Sequence, residues 1–367
     1  MKGKDSAEDA DLPRFISAHE VAERAGVSRS AVSRTFTHGA SVSDATREKV
    51  LRAAAELGYQ VNDLARGLLA NRSQLVGMIA SDPETPFRSL QISSLSRLLM
   101  ESGRVPVLIT TDQSEIGQSS HATLLRYRAQ ATIVLSGMPS KAFIDLAQRN
   151  GQPLIAVGRS EVGPDHVRLN NVLAAETAVH IFAARGMRRI GLITSAIGSP
   201  NLVEREEAYI RKASELGLEV RVGRAERTDY EGGSFAASLL LSPDRAMEGV
   251  FCVNDLMALG LMDYARTMLG LSIPADLSVI GFDDIPQARW GAYRLTTFQQ
   301  SAERQAREIL RILEERLKDP SAKPISVELD LPLVMRDTVR AIAPKVSAPL
   351  PPNSSPTIVE QDIPDHD

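Results

Sequence analysis

Residues Ile16–Phe36, ISAHEVAERAGVSRSAVSRTF, constrain the fold more than any other stretch, because they read as two short helices joined by a tight turn. In the first, Val21, Ala22 and Ala25 recur at spacings of three and four while Glu20 and Glu23 face water, and Gly26 supplies the backbone freedom that a sharp turn needs. Ser28 then stands where its side-chain oxygen can cap the free N–H groups of a second helix, whose buried side is Ala31, Val32 and Phe36. The opposite face carries Arg29, Ser30, Ser33 and Arg34. Two cations among small hydroxyl residues, with nothing bulky to hold the helix away, suit insertion into a DNA major groove, where Arg forks onto guanine and serines reach phosphates or base edges. An ordinary amphipathic helix pair with a solvated basic face fits the same pattern, so the surrounding sequence has to decide.

After a short polar loop, Ser43 can cap a third helix, Asp44–Leu57, whose apolar line Val50, Leu51, Ala54 and Leu57 would close a three-helix core. Asn62 is a good cap for Asp63–Leu69, a segment too short, and with Gly67 too weak, to be helical unless a partner orders it. The runs AHEVAERAGVSRSAVSRTF and VSDATREKVLRAAAELGYQVNDLARGLLANRSQLVGMI resemble, without a gap, the headpiece and hinge of the lactose-repressor family of bacterial transcription regulators. Looser similarity continues to about Arg340. The resemblance implies that Arg29, Ser30 and Arg34 read bases, that Leu68 wedges into the minor groove at the operator centre, and that Ser28, Ser33, Asn62 and Arg66 complete the DNA-contacting set. Gly67, where a small hydroxyl residue is usual, and Val61, where proline is common, depart from the family pattern in the hinge.

Charge is segregated, as DNA binding at one end requires: the 367-residue chain has a net charge of −4, yet Arg14–Arg72 holds nine Lys/Arg against six Asp/Glu. A composition of 43% hydrophobic and 24% charged residues provides for two or three domains. The single Cys252, in an apolar run, excludes an intrachain disulfide and a cysteine-pair zinc site, and the six histidines show no metal spacing. Neither an N-terminal signal pattern nor an apolar stretch of about 18 residues is present, so the expected location is the cytoplasm, on the nucleoid, with no membrane partner.

From Leu75, short β-rich runs alternate with helical ones. The expected strands are Leu75–Ala80, Val105–Thr110, Thr132–Leu135, Leu154–Val157, Ile190–Thr194, Val250–Val253 and Leu277–Phe282. Leu90–Ser102, Ala174–Arg185, Glu204–Leu216, Asp255–Leu269 and Ala302–Leu317 are the helices between them. Such alternation predicts parallel sheets of βαβ units, in a segment long enough to favour two lobes over one sheet. The expected organisation is a disordered arm (1–14), a small all-α helix-turn-helix headpiece (15–60), a hinge helix and linker (61–73), an α/β two-lobed core (74–340) and a disordered, Pro-rich acidic tail (341–367).

In open parallel sheets, ligands bind beyond the carboxyl ends of the strands, where helix N-termini present free N–H groups. Polar residues are placed accordingly in the loop Ser81–Phe87 and at Asp112, Arg159, Asn254 and Asp283. Taken singly, each suits a helix cap or a turn equally well; together they suit a polyhydroxylated ligand, whose hydroxyls both donate and accept.

The resemblance bears on the same positions. Thr85–Phe87 looks like the family's loop motif after the first strand, and RLNN resembles its V-x-x-DN segment, with Asn171 matching the asparagine and Asn170 replacing the aspartate. Arg205 in REEAY matches the arginine of R-x-x-G-Y, although Ala208 replaces the glycine; CVNDLMALG and SVIGFDDIPQA match closely. The implied fold is that of periplasmic sugar-binding proteins, with an effector in the cleft contacted by Phe87, Asp112, Arg159, Asn171, Arg205, Asn254 and Asp283. The implied partners are double-stranded operator DNA, a carbohydrate-like effector and a second copy of the chain; no cofactor, metal or catalytic residue is expected. Two other classes use a doubly wound core, an enzyme and a transport-type sugar-binding protein. Against the first, no G-x-x-x-x-G-K-[ST], G-x-G-x-x-G, G-x-S-x-G or H-E-x-x-H occurs, and Asp283 and Asp284 should point apart rather than share a metal. Against the second stand the missing signal peptide and the N-terminal helix pair.

Overall fold

Capping decides where the N-terminal helices begin and end. The computed structural model describes residues 15–37, 39–61, 73–111, 124, 126–136, 139–158, 164–242 and 246–342. Ser17 caps α1 (Ala18–Ala25), and Glu20, expected only to face water, turns its carboxylate back to accept the Ser17 backbone N–H at 2.7 Å, which closes a capping box. Gly26 ends α1 at φ +65°, a left-handed conformation that glycine adopts without penalty. Ser28 caps α2 (Arg29–Thr35) and Ser43 caps α3 (Asp44–Leu57), both at the positions read from the sequence. The helices close on Val21, Ala22, Val32, Val50, Ala53 and Ala54, with the Phe36 ring 5.6 Å from that of Tyr59. Leu51, which its spacing placed in this core, is 47% exposed: adjacent helical residues face about 100° apart, and Ala53 fills the position instead.

The chain divides into two compact units between Leu75 and Val76. In the second, one lobe contains β1 (Leu75–Ala80), α4 (Pro86–Glu101), β2 (Val105–Thr110), β3 (Ala131–Val134), α5 (Lys141–Arg149), β4 (Leu154–Val157) and β5 (Asp165–Leu169). The other contains α6 (Asn171–Ala184), β6 (Arg189–Ser195), α7 (Pro200–Glu215), β7 (Glu219–Ala225), α8 (Tyr230–Leu240), β8 (Gly249–Cys252), α9 (Asp255–Leu269), β9 (Ser278–Asp283) and β10 (Thr296–Gln299). The chain then returns through α10 (Ala302–Lys318) and β11 (Ser326–Leu329) to the first lobe, and ends on β12 (Leu333–Val334) in the second. Strand order is β11-β5-β4-β3-β1-β2 in the first sheet and β12-β10-β9-β8-β6-β7 in the second, parallel but for β12. The first lobe packs Leu95 and Leu99 of α4 and Ala306, Ile309, Ile312 and Leu313 of α10 on its sheet. A larger core of α6 to α9 residues fills the second. The chain crosses between lobes at Asn170, Gln300–Ser301 and Asp330–Pro332; Asn170 N–H donates to Leu329 O at 3.0 Å and Gln299 N–H to Pro332 O at 2.8 Å beside these crossings.

Each strand and helix expected in the core is present, shifted by a few residues. The largest shifts are at α4 and α7, which begin at Pro86 and Pro200, because proline presets φ and its missing N–H has no partner to lose in a first turn. Pro86 and Phe87, read as loop residues, therefore open α4. The expected arm lies outside the described residues, as do the hinge apart from Val61 and Ser73 and the tail apart from Ala341–Ile342.

In the second lobe α8 and α9 approach so closely that a Cβ on Gly233 would strike the Met257 backbone and one on Gly260 the Tyr230 carbonyl. Gly260→Ala should therefore cost about 1–3 kcal/mol by overpacking, whereas Gly291→Ala, where a Cβ meets nothing within 4 Å, should change stability by no more than about 0.5 kcal/mol. Thermal unfolding of the two variants compares them; equal midpoints would show that the helices can part freely.

Candidate functional site

Arg29, Ser30, Ser33 and Arg34 are all exposed on α2. Ser28, also exposed, already has its hydroxyl engaged, capping Ala31 N–H at 3.2 Å and lying 2.9 Å from Ser30 Oγ. Arg34 Nε donates back to Ser30 O at 3.3 Å, one turn earlier on the helix. Asn62, Arg66 and Leu68, the hinge members of the expected DNA-contacting set, lie outside the described residues.

Between the two lobes of the core lies a cavity of about 590 Å³. Strand ends and helix starts of both lobes build its wall: Phe87 and Arg88 from α4, Asn201 and Arg205 from α7, Asn254 before α9, and Asp283 at the end of β9. Of the seven residues expected to contact a ligand, Phe87, Arg205, Asn254 and Asp283 line this one space, and Asp112 and Arg159 lie outside the described residues. Asn171 is the exception. It is 1% exposed, does not line the cavity, and accepts a hydrogen bond from Arg205 Nε at 2.8 Å while its amide nitrogen donates to Glu204 at 2.9 Å. It opens α6 immediately after the crossing at Asn170, and it also donates to Asn201 of the cavity wall at 3.2 Å.

Arg205 is itself 4% exposed. Its NH1 donates to Val253 O at 2.6 Å, and its guanidinium carbon sits 3.4 Å from the centroid of the Phe282 ring. Burial lowers its pKa to about 10, against the opposing pull of Asp283 and Glu204. Asn254 lines the cavity but is engaged at both ends: its oxygen caps α9 through Met257 N–H and its nitrogen donates to Thr228 O at 2.7 Å.

Sequence reading missed a run of hydrogen bonds along one wall. Arg88 NH1 donates to Leu135 O and to Gln91 Oε1; Gln91 Nε2 donates to Gln305 Oε1 at 2.6 Å; Gln305 Nε2 to Gln300 Oε1 at 3.1 Å; and Gln300 Nε2 to Asp283 Oδ1 at 2.5 Å. The run starts on α4, passes through α10 and a lobe crossing, and ends in the other lobe. A signal for it was present: Gln91 precedes Leu95 and Leu99, and Gln305 precedes Ile309 and Ile312, on the buried sides of their helices.

Asp283 and Asp284 take φ +128° and +56°, values rare for side-chain-bearing residues, and the turn sends their carboxylates to different partners. Burial pushes Asp283 up to about 6, opposed by Arg205, the Gln300 amide and Arg88. Asp284 is held below the usual carboxylate range despite its burial, because Arg289, Arg336 and Gln299 all donate to it. Behind them, burial and the neighbouring Asp283 push the fully buried Asp255 up to about 8, although Thr297 Oγ1 and Ile285 N–H donate to it. The lobes also meet beside the cavity. Gly158, at φ +111° after β4, leaves so little room that a Cβ there would lie 2.9 Å from the Asn201 amide nitrogen, and Arg168 pairs with Glu204 at 3.4 Å.

Residues 17–62 match the family described as bacterial regulatory proteins, lacI family, and residues 179–339 match the periplasmic binding protein-like domain. The HTH-type transcriptional repressor CytR of Escherichia coli is 30% identical over 331 residues, 88% of this chain and 96% of that one. The chain belongs to the lacI family of bacterial regulatory proteins. The HTH-type transcriptional repressor PurR of Mannheimia succiniciproducens is 28% identical over 330 residues, covering 88% of the regulator and 98% of that protein. Among solved structures, a lac repressor dimer bound to operator and the anti-inducer ONPF shares the fold at a TM-score of 0.81, with 24% identity over 89% of the regulator and 100% of that chain. A CelR–cellobiose complex has a TM-score of 0.64 and 27% identity over 88% of the regulator and 99% of that chain. These relatives are DNA-binding transcriptional regulators rather than enzymes, and so is this chain.

An unfolded aspartate titrates near 3.9, so the folded regulator holds the Asp255 proton more tightly than the unfolded chain, and that contribution, complete below about pH 4, is lost as pH rises through about 8. Asp255→Asn should therefore gain in denaturant midpoint relative to the unsubstituted chain between about pH 4 and about pH 8. A difference between the two that stays constant over that range contradicts the assignment.

Proposed function

We propose that the regulator is a homodimeric repressor that reads a two-fold symmetric operator with α2 and the hinge segment, and that a small polyhydroxylated effector in the cleft sets its operator affinity. What carries the reading is the pairing, on one chain, of a helical unit that exposes Arg29 and Arg34 with a core whose two lobes enclose a polar cavity of about 590 Å³. One short recognition helix reads only a few base pairs, so two-fold symmetry doubles the readout. The repressor sense is supported by the relatives named as repressors, and the carbohydrate class by the CelR–cellobiose complex and by a lining that both donates and accepts hydrogen bonds. An effector shifts operator affinity through its differential affinity for two arrangements of the core, and a cavity bounded by both lobes is where such a difference arises.

Gel shifts with genomic fragments test the reading, with binding of a dimer to a symmetric site expected and monomeric binding to an asymmetric site against it. Arg34→Ala should weaken operator binding by about 1–3 kcal/mol and relax specificity at one base pair in each half-site. An equal loss on every sequence would make Arg34 a phosphate contact instead.

A further inference from the structure

We infer that the effector carries a single acid group, a carboxylate, and that Arg88 and Arg205 hold it. The inference rests on the reading of the cleft as the effector site. Both guanidiniums line the cavity, and neither makes an ion pair among the described residues. Their acceptors are neutral: Asn171 Oδ1 and Val253 O for Arg205, Gln91 Oε1 and Leu135 O for Arg88. A guanidinium has five N–H donors in a planar fork, and these contacts leave NH2 of both residues and Nε of Arg88 without an acceptor among the described residues. A cation withdrawn from water is costly until an anion offsets it.

The charges around the cavity show how much is left to offset. Asp283 opposes the burial of both arginines, but it is one carboxylate against two cations, and Gln300 occupies its Oδ1. Asp255, pushed up to about 8, is largely protonated at neutral pH, and Glu204 is engaged by Arg168 and Asn171. Asp82 adds its charge near Arg88 but stands exposed at the mouth, where water and salt screen it. Among the described residues, one positive charge remains in the interior of the cleft.

The helices point the same way. α4 and α7, each 16 residues long, come from opposite lobes and both begin at the cavity, with Thr85-Pro86 and Ser199-Pro200 in its wall. Neither Thr85 nor Ser199 caps its helix with a side chain, so two helix dipoles present their positive ends to the same space that the 4%-exposed Arg205 enters. A monoanion matches one uncompensated charge better than a phosphate dianion does, and a carboxylate matches the guanidinium fork. Ser136 and Asn201, also in the wall, already accept from Ser81 and Asn171 but keep a hydroxyl and an amide N–H to donate, and Ser199 and Thr228 stand beside them, so the lining can bind hydroxyls and the class is a sugar acid.

Titration calorimetry on the full-length protein with matched probes tests this: gluconate against glucose, galacturonate against galactose, ribonate against ribose, with glucose 6-phosphate as the phosphate arm. An acid should bind at least about tenfold more tightly than its neutral parent. Arg88→Gln should erase that preference, and Arg88→Lys, which keeps the charge, should retain part of it, with melting curves establishing that both variants fold. A neutral parent bound as tightly as its acid, a preference for the phosphate ester, a preference that survives Arg88→Gln, or a panel in which no acid binds would overturn the inference. Operator gel shifts with the same probes separate the two readings: a neutral sugar that alters operator affinity overturns the acid and keeps the effector site, whereas operator affinity indifferent to every probe removes both.

Discussion

The core is organised by a buried cation that makes no ion pair among the described residues. Arg205 reaches from α7 to Asn171 at the start of α6, to the Val253 carbonyl after β8 and to the face of Phe282 in β9. Each contact satisfies a guanidinium that could not stay charged in so dry a place without acceptors around it. The geometry runs in the other direction too. Because a planar fork tolerates little misalignment, Arg205 fixes the start of α6, and with it the crossing at Asn170, relative to two strand ends of the second lobe. The residues that the family resemblance had grouped as ligand contacts thus separate into a wall and the support behind it.

The glutamine run has a polarity that a lone hydrogen bond lacks. It begins on a cation that can only donate and ends on a carboxylate that accepts, so each amide between must turn its N–H toward Asp283 and its carbonyl toward Arg88. Turning any one amide around would set two donors or two acceptors face to face in a buried position, where Gln91 and Gln305 have no water to fall back on. The orientation of every member is therefore held by the charges at the ends, and those ends belong to different lobes. An aromatic stack or an apolar contact at the same place would hold the lobes together equally well but would carry no memory of what is bound at either end.

Much of this was legible in the sequence, for reasons that also explain the rest. The headpiece rests on local signals: Ser28, Ser43 and Gly26 act within one turn of themselves, so their roles can be read without knowing the fold. β1, β3, β4 and β8 are buried on both faces and show as unbroken apolar runs. β7 was not seen because it is an edge strand whose Glu219, Arg221 and Arg224 break the run, and α8 was hidden by Gly232 and Gly233, which weaken a helix in isolation, although Gly233 lets α9 come close. In the cleft, Asn254 and Asp283 stood out as polar groups at strand ends, and Arg205 through the family resemblance. Gln91 and Gln305 did not, because what gives them meaning is a partner 214 residues away.

Gly158 gives this architecture a property that concerns populations of cells more than single molecules. It is the point where the first lobe's backbone comes against Asn201 of the second, and it has no side chain to keep the two apart. Volume added there bears on how closely the two lobes approach beside the cavity, whose wall includes both Gly158 and Asn201, and lies in a different compact unit from α2. If the core alternates between two arrangements as proposed, one codon would act as a set-point: it would shift what fraction of regulators rests in each before any signal arrives, and so tune the leakiness of the controlled promoter while the address on the chromosome stays unchanged.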